Sequence, residues 1–202
     1  MTDVDADFFA VVGRQRACRT FSAEPVTDEQ LAPLLQAATH APSAENRQPW
    51  EFVIVRDAAS RAAIGELTKR AWEAHGRAFS ETRLTPTLLA EVERGATGGI
   101  AAAPVQVVVC ADLERGLKAT VDSSIYPAVQ NLLLAATASG LGTALTTITT
   151  AYASELRAII GLPETVVPVA VIPVGRPARP LGPPRRDPFA GHTHREQYGN
   201  AW

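Results

Sequence analysis

The residues from Ile125 to Ser139 constrain the fold of this chain more than any other stretch. Their apolar members cover nearly the whole circumference of a helix: Val129, Leu132, Leu133, Leu134, Ala135 and Ala136. A helix that is apolar on all sides has to be buried by other elements. Gly140 stands where a left-handed residue ends a helix, and Ser123 or Ser124 stands where a hydroxyl caps one. The sequence therefore predicts a central helix with these ends.

Apolar runs elsewhere predict strands. Val166 to Val174 is apolar throughout and Pro104 to Cys110 is apolar except for Gln106, as in strands buried on both faces, and Phe52 to Val55 is a shorter run. Thr143 to Thr147 predicts a strand or a strand-like turn. Further helices are predicted over Asp5–Arg16, Asp57–Ala74 and Tyr152–Ile160, the last of which Gly161 ends. Two more helices are predicted to begin at the capping box of Thr27 with Gln30 and at Thr85-Pro86. This order indicates an α+β or α/β sandwich with one sheet.

Two segments lack such a pattern. Gly76 to Leu84 is the least patterned part of the chain and is predicted to be a mobile excursion, over a site or on variable surface. Residues 176–202, here called the tail, alternate prolines with arginines and end in the aromatics Tyr198 and Trp202. We expect these aromatics to pack on a neighbouring subunit or on the tail's own domain.

Composition narrows the class of protein. The chain has 202 residues, of which 46% are hydrophobic and 20% charged, so residues 1–202 are expected to form one domain. The net charge of −2 gives no reason to expect nucleic acid as a partner. No apolar run approaches the roughly 20 residues of a membrane helix, and the acidic N-terminus lacks a basic signal start. With two cysteines and no disulfide framework, the cytoplasm is the expected location.

The loop between Ala41 and Trp50 contains two prolines, two amides and a hydroxyl. Pro42 and Pro49 restrict their own backbone and that of the preceding residues. A rigid polar loop between a helix and a strand suits a binding site. It suits equally a structural connector in which Trp50 fills the core.

No catalytic motif stands out. The sequence lacks GxSxG, a phosphate loop ending in Lys-Ser/Thr, and GxGxxG after the first strand. His192 and His194 lack companions for a metal site. Cys18 lies between Arg16 and Arg19, which favour a reactive thiolate, but no resolving cysteine is near. If the protein is an enzyme, we therefore expect a bound cofactor to carry the chemistry.

Arginine is the remaining signal. Arg14, Arg16 and Arg19 lie at the end of the first helix, and Arg185 and Arg186 lie in the tail. Guanidinium groups on irregular backbone suit a dianionic phosphate, which they bind bidentately. Solvated surface charge is the alternative explanation for any single one of them.

Several segments together resemble the FMN-dependent nitroreductase family, and the similarity runs from Phe8 to Trp202. They are Gln15-Arg16-Ala17-Cys18-Arg19-Thr20-Phe21, Pro42-Ser43-Ala44-Glu45-Asn46-Arg47-Gln48-Pro49-Trp50, Gln130-Asn131-Leu132-Leu133-Leu134-Ala135-Ala136 with Gly140-Leu141-Gly142, and Pro183-Pro184-Arg185-Arg186. The resemblance implies an α+β nitroreductase-like fold with a central mixed or antiparallel sheet flanked by helices. It also implies a homodimer with two FMN sites at the interface and a tail that packs on the partner.

The resemblance assigns cofactor-binding residues and no catalytic side chain or metal. The phosphate and ribityl chain fall to Arg16, Ala17, Arg19, Arg185 and Arg186. The flavin ring falls to Leu145, Thr146 and Thr147 of one subunit and to Pro42, Ser43, Ala44 and Asn46 of the other. Three residues depart from the family pattern, Gln15, Ala17 and Thr147. Two consequences remain open: one side-chain contact to the phosphate is lost, or Arg14 takes it over.

The implied reaction passes a hydride from NAD(P)H through flavin N5 to a nitroaromatic, a quinone or a similar small acceptor, in a ping-pong cycle. Arg19 is the candidate to stabilise the anionic reduced flavin, provided that the phosphate does not engage it fully. Three alternatives remain open: a flavin-dependent oxidase of the cyclodipeptide-oxidase type, a non-catalytic FMN-binding protein, and a flavin-free interaction domain.

Overall fold

The computed structural model describes residues 8–202 of the chain. Its regular helices are α1 Phe8–Arg14, α2 Asp28–Thr39, α3 Ala58–Ala71, α4 Arg77–Glu81, α5 Pro86–Arg94, α6 Ile100–Ala102, α7 Val121–Ala138 and α8 Ala153–Ile160. Its strands are β1 Trp50–Val55, β2 Val105–Asp112, β3 Gly142–Thr143 and β4 Val166–Gly175. Two π-helical turns, Trp72–Gly76 and Gly95–Gly99, interrupt the helical segments.

The strands form one antiparallel sheet in the order β1-β2-β4-β3. All eight residues of β2 are buried, because helices cover both faces of the sheet and β1 and β4 cover both its edges. The predicted apolar strands are confirmed to within two residues at each end. The sheet is antiparallel rather than mixed, and with its flanking helices it makes the fold α+β.

Helix α7 is the central helix, as predicted. Ile125, Ala128, Leu132 and Ala136 are all fully buried, and the helix packs on α2 and on the sheet. Gly140 adopts φ +72°, the left-handed conformation expected after the helix. The predicted serine cap is wrong, because α7 begins at Val121 and Thr120 precedes it. Ser124 instead lies inside the helix, where its Oγ accepts a hydrogen bond from the Ala44 N–H at 3.1 Å.

The capping box of α2 is confirmed at both of its hydrogen bonds. The Gln30 N–H donates to Thr27 Oγ1 at 3.3 Å, and the Thr27 N–H donates to Gln30 Oε1 at 3.0 Å. Pro33 lies within the same helix. It removes one backbone donor without ending the helix, because α2 is held by its packing against α7.

The prediction of an unpatterned excursion over Gly76 to Leu84 is wrong. Helix α3 continues through the π turn into α4, so the backbone stays helical as far as Glu81. A π turn inserts one residue into the helical repeat and rotates the apolar face, so the hydrophobic period is lost while the helix continues. Arg77 pairs with Glu81 within α4, at 3.4 Å, and its ion pair with Glu93 anchors α4 to α5.

Helix α1 ends at Arg14, two residues before the predicted end, and the predicted residues Asp5 to Asp7 lie outside the described part of the chain. Of its predicted apolar face, only Val11 is buried. Phe8, Phe9 and Val12 are 63%, 79% and 45% exposed in the single chain.

The tail begins by pairing with the segment after α1. The Ala178 N–H donates to Thr20 O at 3.1 Å, and the Ser22 N–H donates to Arg176 O at 2.9 Å. Further on, the tail folds on itself: Phe189 and Trp202 meet edge to face at 6.1 Å between ring centroids. Tyr198 remains 94% exposed. The start of the tail therefore packs on its own domain, and its packing on a partner stays a prediction.

No helix in residues 8–202 is long and apolar enough to cross a membrane.

Candidate functional site

The segment after α1 is held as an added strand beside the sheet. Ala17 forms a parallel bridge with Thr143, and the Cys18 N–H donates to Thr143 O at 2.8 Å. This pairing buries Cys18 completely, while Arg16 and Arg19 on either side of it remain partly exposed. The sheet edge thereby fixes the two predicted arginines at the mouths of two adjoining cavities.

The first cavity, here called the inner pocket, has a volume of about 200 Å³. Segment 144–148 forms one wall, and α3, α5 and both π turns form the others. Its lining residues are Cys18, Arg19, Thr68, Trp72, Ser80, Val92, Gly95, Ala96, Ile100, Ala144, Leu145, Thr146, Thr147, Ile148 and Pro173. The predicted residues Arg19, Leu145, Thr146 and Thr147 are therefore brought together.

Glycines in the π turns allow the walls to approach each other closely. A β-carbon on Gly76 would lie 2.4 Å from Ile148 Cδ1, and one on Gly95 would lie 2.8 Å from Arg19 Cδ. Both distances are below van der Waals contact, so neither position accommodates a larger residue without movement. The π turns thus shape the pocket, and their irregular hydrophobic period hid this role from the sequence-based prediction.

The wall after β3 contains the three residues predicted to offer backbone amides to a flavin, Leu145, Thr146 and Thr147. The Thr146 N–H already donates to Val171 O at 3.2 Å, and the Val171 N–H donates to Thr146 O at 2.8 Å. These two hydrogen bonds anchor the wall to β4, and the Thr146 N–H is therefore not free to bind a ligand. Of the three residues predicted to offer amides to a flavin, Leu145 and Thr147 are the better candidates.

Polar groups also lie at the back of the inner pocket. Thr68 and Thr149, both fully buried, share a hydrogen bond of 2.7 Å between their hydroxyls. Trp72 is 3% exposed, and its Nε1 has no hydrogen-bond partner within residues 8–202. A buried donor without a partner costs about 1–3 kcal/mol. Such an atom beside a cavity favours a site that a polar ligand or a water completes.

The second cavity, here called the arginine pocket, adjoins the first at Arg19. Its lining residues are Arg16, Ala17, Arg19, Thr20, Glu91, Arg94, Arg179, Pro180, Leu181 and Gly182. The Arg16 Nη1 donates to Gly182 O at 3.1 Å, which fixes this guanidinium between the tail and α5. Three of the predicted residues, Arg16, Ala17 and Arg19, converge here.

Burial affects the ionisable groups where the two pockets meet. Desolvation lowers the pKa of the Arg19 guanidinium, with the Glu91 carboxylate opposing this change. Arginine stays protonated at physiological pH because its ordinary pKa is so high. Burial raises the pKa of the Cys18 thiol and outweighs the nearby Arg19 and Arg16. Cys18 is therefore a protonated core residue, and the arginines do not activate it.

The loop from Pro42 to Asn46 lines neither pocket of its own chain. Glu45, Asn46 and Gln48 all have φ of 50–53°, which is uncommon for residues other than glycine. The Ser43 Oγ holds this conformation by accepting the Gln48 N–H at 3.0 Å. Ala44 borders a cavity of only about 30 Å³, room for little more than water.

The strained loop therefore presents Pro42 and Asn46 outward, while Trp50 is 6% exposed and structural as predicted. Strain of this kind is concentrated at functional sites. A role of this loop at the partner's site stays a prediction.

The tail arginines Arg185 and Arg186 lie outside the arginine pocket of their own chain, and their role at the phosphate stays a prediction. Arg185 and Arg186 are exposed, and the Arg186 Nη1 donates to Arg185 O at 2.8 Å. Neither lines the arginine pocket, which takes Arg179 from the tail and Arg94 from α5 instead. Arg179 belongs to the same proline and arginine pattern, so a wider search of that pattern would have included it. Arg94 carries no signal in the sequence, since it is one charged residue on a charged helix.

His192 and Asp187 approach to 4.0 Å in the tail. No group of three or more metal-ligating side chains occurs in the part of the chain that the structure describes.

Comparison with known proteins places this geometry in a family. The model of the Nitroreductase family matches residues 12–176, which include the inner pocket and most of the arginine pocket. The chain belongs to the nitroreductase family. A provisionally named NADH dehydrogenase/NAD(P)H nitroreductase of Archaeoglobus fulgidus is 31% identical over 171 residues, 81% of each chain. One of the same name from Methanothermobacter thermautotrophicus is 32% identical over 191 residues, 91% of this chain and 83% of the relative.

A solved structure agrees with this membership. A provisionally named nitroreductase from Desulfovibrio desulfuricans, solved in complex with FMN, superposes with a TM-score of 0.75 at 25% identity. The superposition covers 96% of this nitroreductase-family chain and 99% of that one. The similarity thus extends beyond residues 12–176 into the tail.

Proposed function

We propose that this protein is a single-domain, FMN-dependent oxidoreductase that uses NAD(P)H to reduce a small acceptor such as a quinone or a nitroaromatic. The observation that carries this proposal is the position of Arg19, which borders both the inner pocket and the arginine pocket. A ligand with a flat, partly polar ring at one end and a phosphate at the other fits two cavities joined in this way.

The residues present suit FMN. The inner pocket offers apolar walls with amides from Leu145 and Thr147, which match a ring system with carbonyl and nitrogen acceptors at one edge. The arginine pocket offers guanidinium donors, which match a phosphate monoester. Relatives support this assignment, since a Bacillus subtilis FMN reductase that uses NAD(P)H is 28% identical over 188 residues.

FMN, when bound, supplies a site that accepts a hydride from NAD(P)H and passes it to the acceptor, which makes a ping-pong cycle possible. The protein's part is to bind, orient and stabilise. Arg19 places a fixed positive charge where the two pockets meet, and burial strengthens its effect on a negative charge that develops nearby. The closely packed π turns hold Arg19 in that position.

The proposal includes a homodimer. The exposed apolar face of α1 with Phe8, Phe9 and Val12, and the exposed Tyr126 of α7, provide surface for a second copy. The strained loop from Pro42 to Asn46 begins close to α7, since Ala44 is bonded to Ser124. We propose that a partner's loop completes each flavin site, so a monomeric form should lose FMN. A cytoplasmic location is part of the proposal because NAD(P)H is a cytoplasmic metabolite.

The decisive experiment is an absorption spectrum of the purified protein followed by anaerobic titration with NADH and NADPH. We expect a flavin spectrum that bleaches rapidly with at least one nicotinamide and recovers on addition of a quinone. Flavin that bleaches with neither nicotinamide would favour the oxidase alternative. Bound flavin without turnover would favour a non-catalytic FMN protein, and failure to bind added FMN would contradict the proposal.

A further inference from the structure

An acidic residue lies inside the arginine pocket. Glu91, on α5, lines it together with four arginines, Arg16, Arg19, Arg94 and Arg179. Its carboxylate oxygens lie 3.8 Å from Arg16 Nη2 and 3.9 Å from Arg179 Nη2. The Glu91 side chain is 26% exposed, so it faces the cavity rather than open solvent.

These ion pairs are loose. Charge-assisted hydrogen bonds between guanidinium and carboxylate are about 2.7–2.9 Å long, so distances of 3.8 and 3.9 Å leave the N–H donors without a close acceptor. Among the described residues, the Arg16 side chain makes a single hydrogen bond, to Gly182 O. The side chains of Arg19, Arg94 and Arg179 make no hydrogen bond to any residue from 8 to 202. Most donors of the pocket are therefore available to a ligand.

The charges around this pocket do not balance among residues 8–202. In that part of the chain four arginines and one carboxylate line the cavity, which leaves three positive charges in excess. Like charges held together in this way need an anion, and a phosphate monoester carries about −1.5 to −2 at neutral pH. A carboxylate beside that phosphate would repel it while the arginines attract it.

We propose that Arg94 and Arg179 bind the phosphate of the cofactor together with Arg16, and that Glu91 competes with this phosphate for the same arginines. In the absence of ligand Glu91 faces Arg16 and Arg179 at 3.8 and 3.9 Å, and on binding the phosphate takes its place beside these arginines. Glu91 thus lowers the affinity for ligands that carry a phosphate and leaves the affinity for the ring system unchanged. The identity of the cofactor in this inference rests on the proposed function, whereas the binding of an anion rests on the arginine pocket alone.

The test compares three probes on the flavin-free full-length protein: FMN, riboflavin and inorganic phosphate. Flavin binding is measured by fluorescence quenching and phosphate binding by calorimetry. We expect Glu91→Gln to tighten FMN and phosphate binding roughly tenfold and to change riboflavin binding less than about twofold. Glu93→Gln is the matched control, because Glu93 lies on the same helix but pairs with Arg77 outside the pocket. It should leave all three affinities unchanged.

Two further variants test the new phosphate ligands. Arg179→Ala and Arg94→Ala should each weaken FMN and phosphate binding by about tenfold to a hundredfold, again without an effect on riboflavin. Two independent arginines keep the test informative if one variant fails to fold.

The outcomes separate this inference from the proposed function. If Glu91→Gln tightens phosphate binding but the wild-type protein does not bind FMN, the result would support the anion pocket and contradict the FMN proposal. If the wild-type protein binds FMN, and Glu91→Gln leaves that affinity unchanged or weakens it, the inference is overturned and the proposed function stands. Equal effects on FMN and riboflavin would also overturn it, since they would place Glu91 beside the ring.

Discussion

Gly99 lies directly against the backbone of Arg19. A β-carbon on Gly99 would stand 2.2 Å from the Arg19 carbonyl oxygen, and Arg94 O would lie 3.3 Å from it. The π turn over Gly95–Gly99 therefore packs on the arginine that borders both pockets. Arg19 can occupy this position only because residue 99, eighty residues later in the chain, is a glycine and has no side chain.

This close approach predicts different effects for two neighbouring glycines. Gly99→Ala should lower the free energy of unfolding by about 1–3 kcal/mol, because backbone atoms on both sides have to move. Gly98→Ala should raise it by about 0.5–1 kcal/mol, because no atom beyond its chain neighbours and its own helical backbone lies within 4 Å of its β-carbon and alanine favours a helical backbone. Urea denaturation of the two variants measures both values.

The Gly99 variant also tests the position of Arg19. If the π turn holds Arg19 at the site, Gly99→Ala should weaken flavin binding more than Gly98→Ala does. Equal flavin affinities in the two variants, with Gly99→Ala destabilised, would show that the packing of Gly99 on Arg19 serves folding alone.

Arg16 should contribute to FMN affinity and Arg14 should not. Arg16 lines the arginine pocket, and Arg14 is exposed with its Nε bonded to Ala10 O at 3.2 Å. One arginine–phosphate hydrogen bond contributes about 1.5–3 kcal/mol, so Arg16→Ala should weaken FMN binding about tenfold to a hundredfold. Fluorescence titration of both variants checks this prediction. A comparable weakening in Arg14→Ala would support the sequence-based alternative that Arg14 binds the phosphate in place of Gln15.

The buried threonine pair predicts an asymmetry between two similar variants. The Thr68 hydroxyl donates to Ile64 O at 3.0 Å, so the 2.7 Å bond between the hydroxyls takes its proton from Thr149. Thr68→Val should cost about 1–3 kcal/mol because it leaves the buried Thr149 donor without an acceptor. Thr149→Val leaves Thr68 with its own acceptor and should cost about 1 kcal/mol or less.

The double variant Thr68→Val/Thr149→Val tests the direction of that bond. It should be no less stable than Thr68→Val alone, because no unpaired donor remains. Thermal unfolding of the three variants gives the comparison, and a double variant destabilised by the sum of the single effects would contradict it.

Cys110 predicts a loss of stability at high pH. Desolvation in the core raises the pKa of the Cys110 thiol from 9.0 to about 12. The unfolded chain therefore loses this proton first as the pH rises, and the folded state loses stability by roughly 1.4 kcal/mol per pH unit above about 9. Below that pH the thiol is protonated in both states and contributes no pH dependence.

Denaturation of wild type and Cys110→Ala between pH 7 and pH 10.5 measures this effect. The alanine variant is expected to be less stable at neutral pH because it leaves a cavity, and the difference should shrink above pH 9. A difference that stays constant over this range would contradict the buried, protonated thiol.

Regular periodicity made much of the fold predictable. Strands β2 and β4 and helix α7 are buried on all sides, and such elements consist of consecutive apolar residues that the local sequence shows directly. The Thr27 capping box was equally clear, because both of its bonds join residues three apart. The π turns were missed since an inserted residue breaks the period without ending the helix.

The sequence alone determined which residue types this protein offers to a ligand: guanidinium groups beside a short added strand, backbone amides after β3, and a rigid proline loop. The tertiary structure decided which of them meet. It brought Arg94, Arg179 and Glu91 to Arg16 and left Arg185 and Arg186 at the surface. The reason is that a phosphate site depends on distances between residues far apart in the chain, and the sheet edge and the close packing of the glycines in the π turn set those distances.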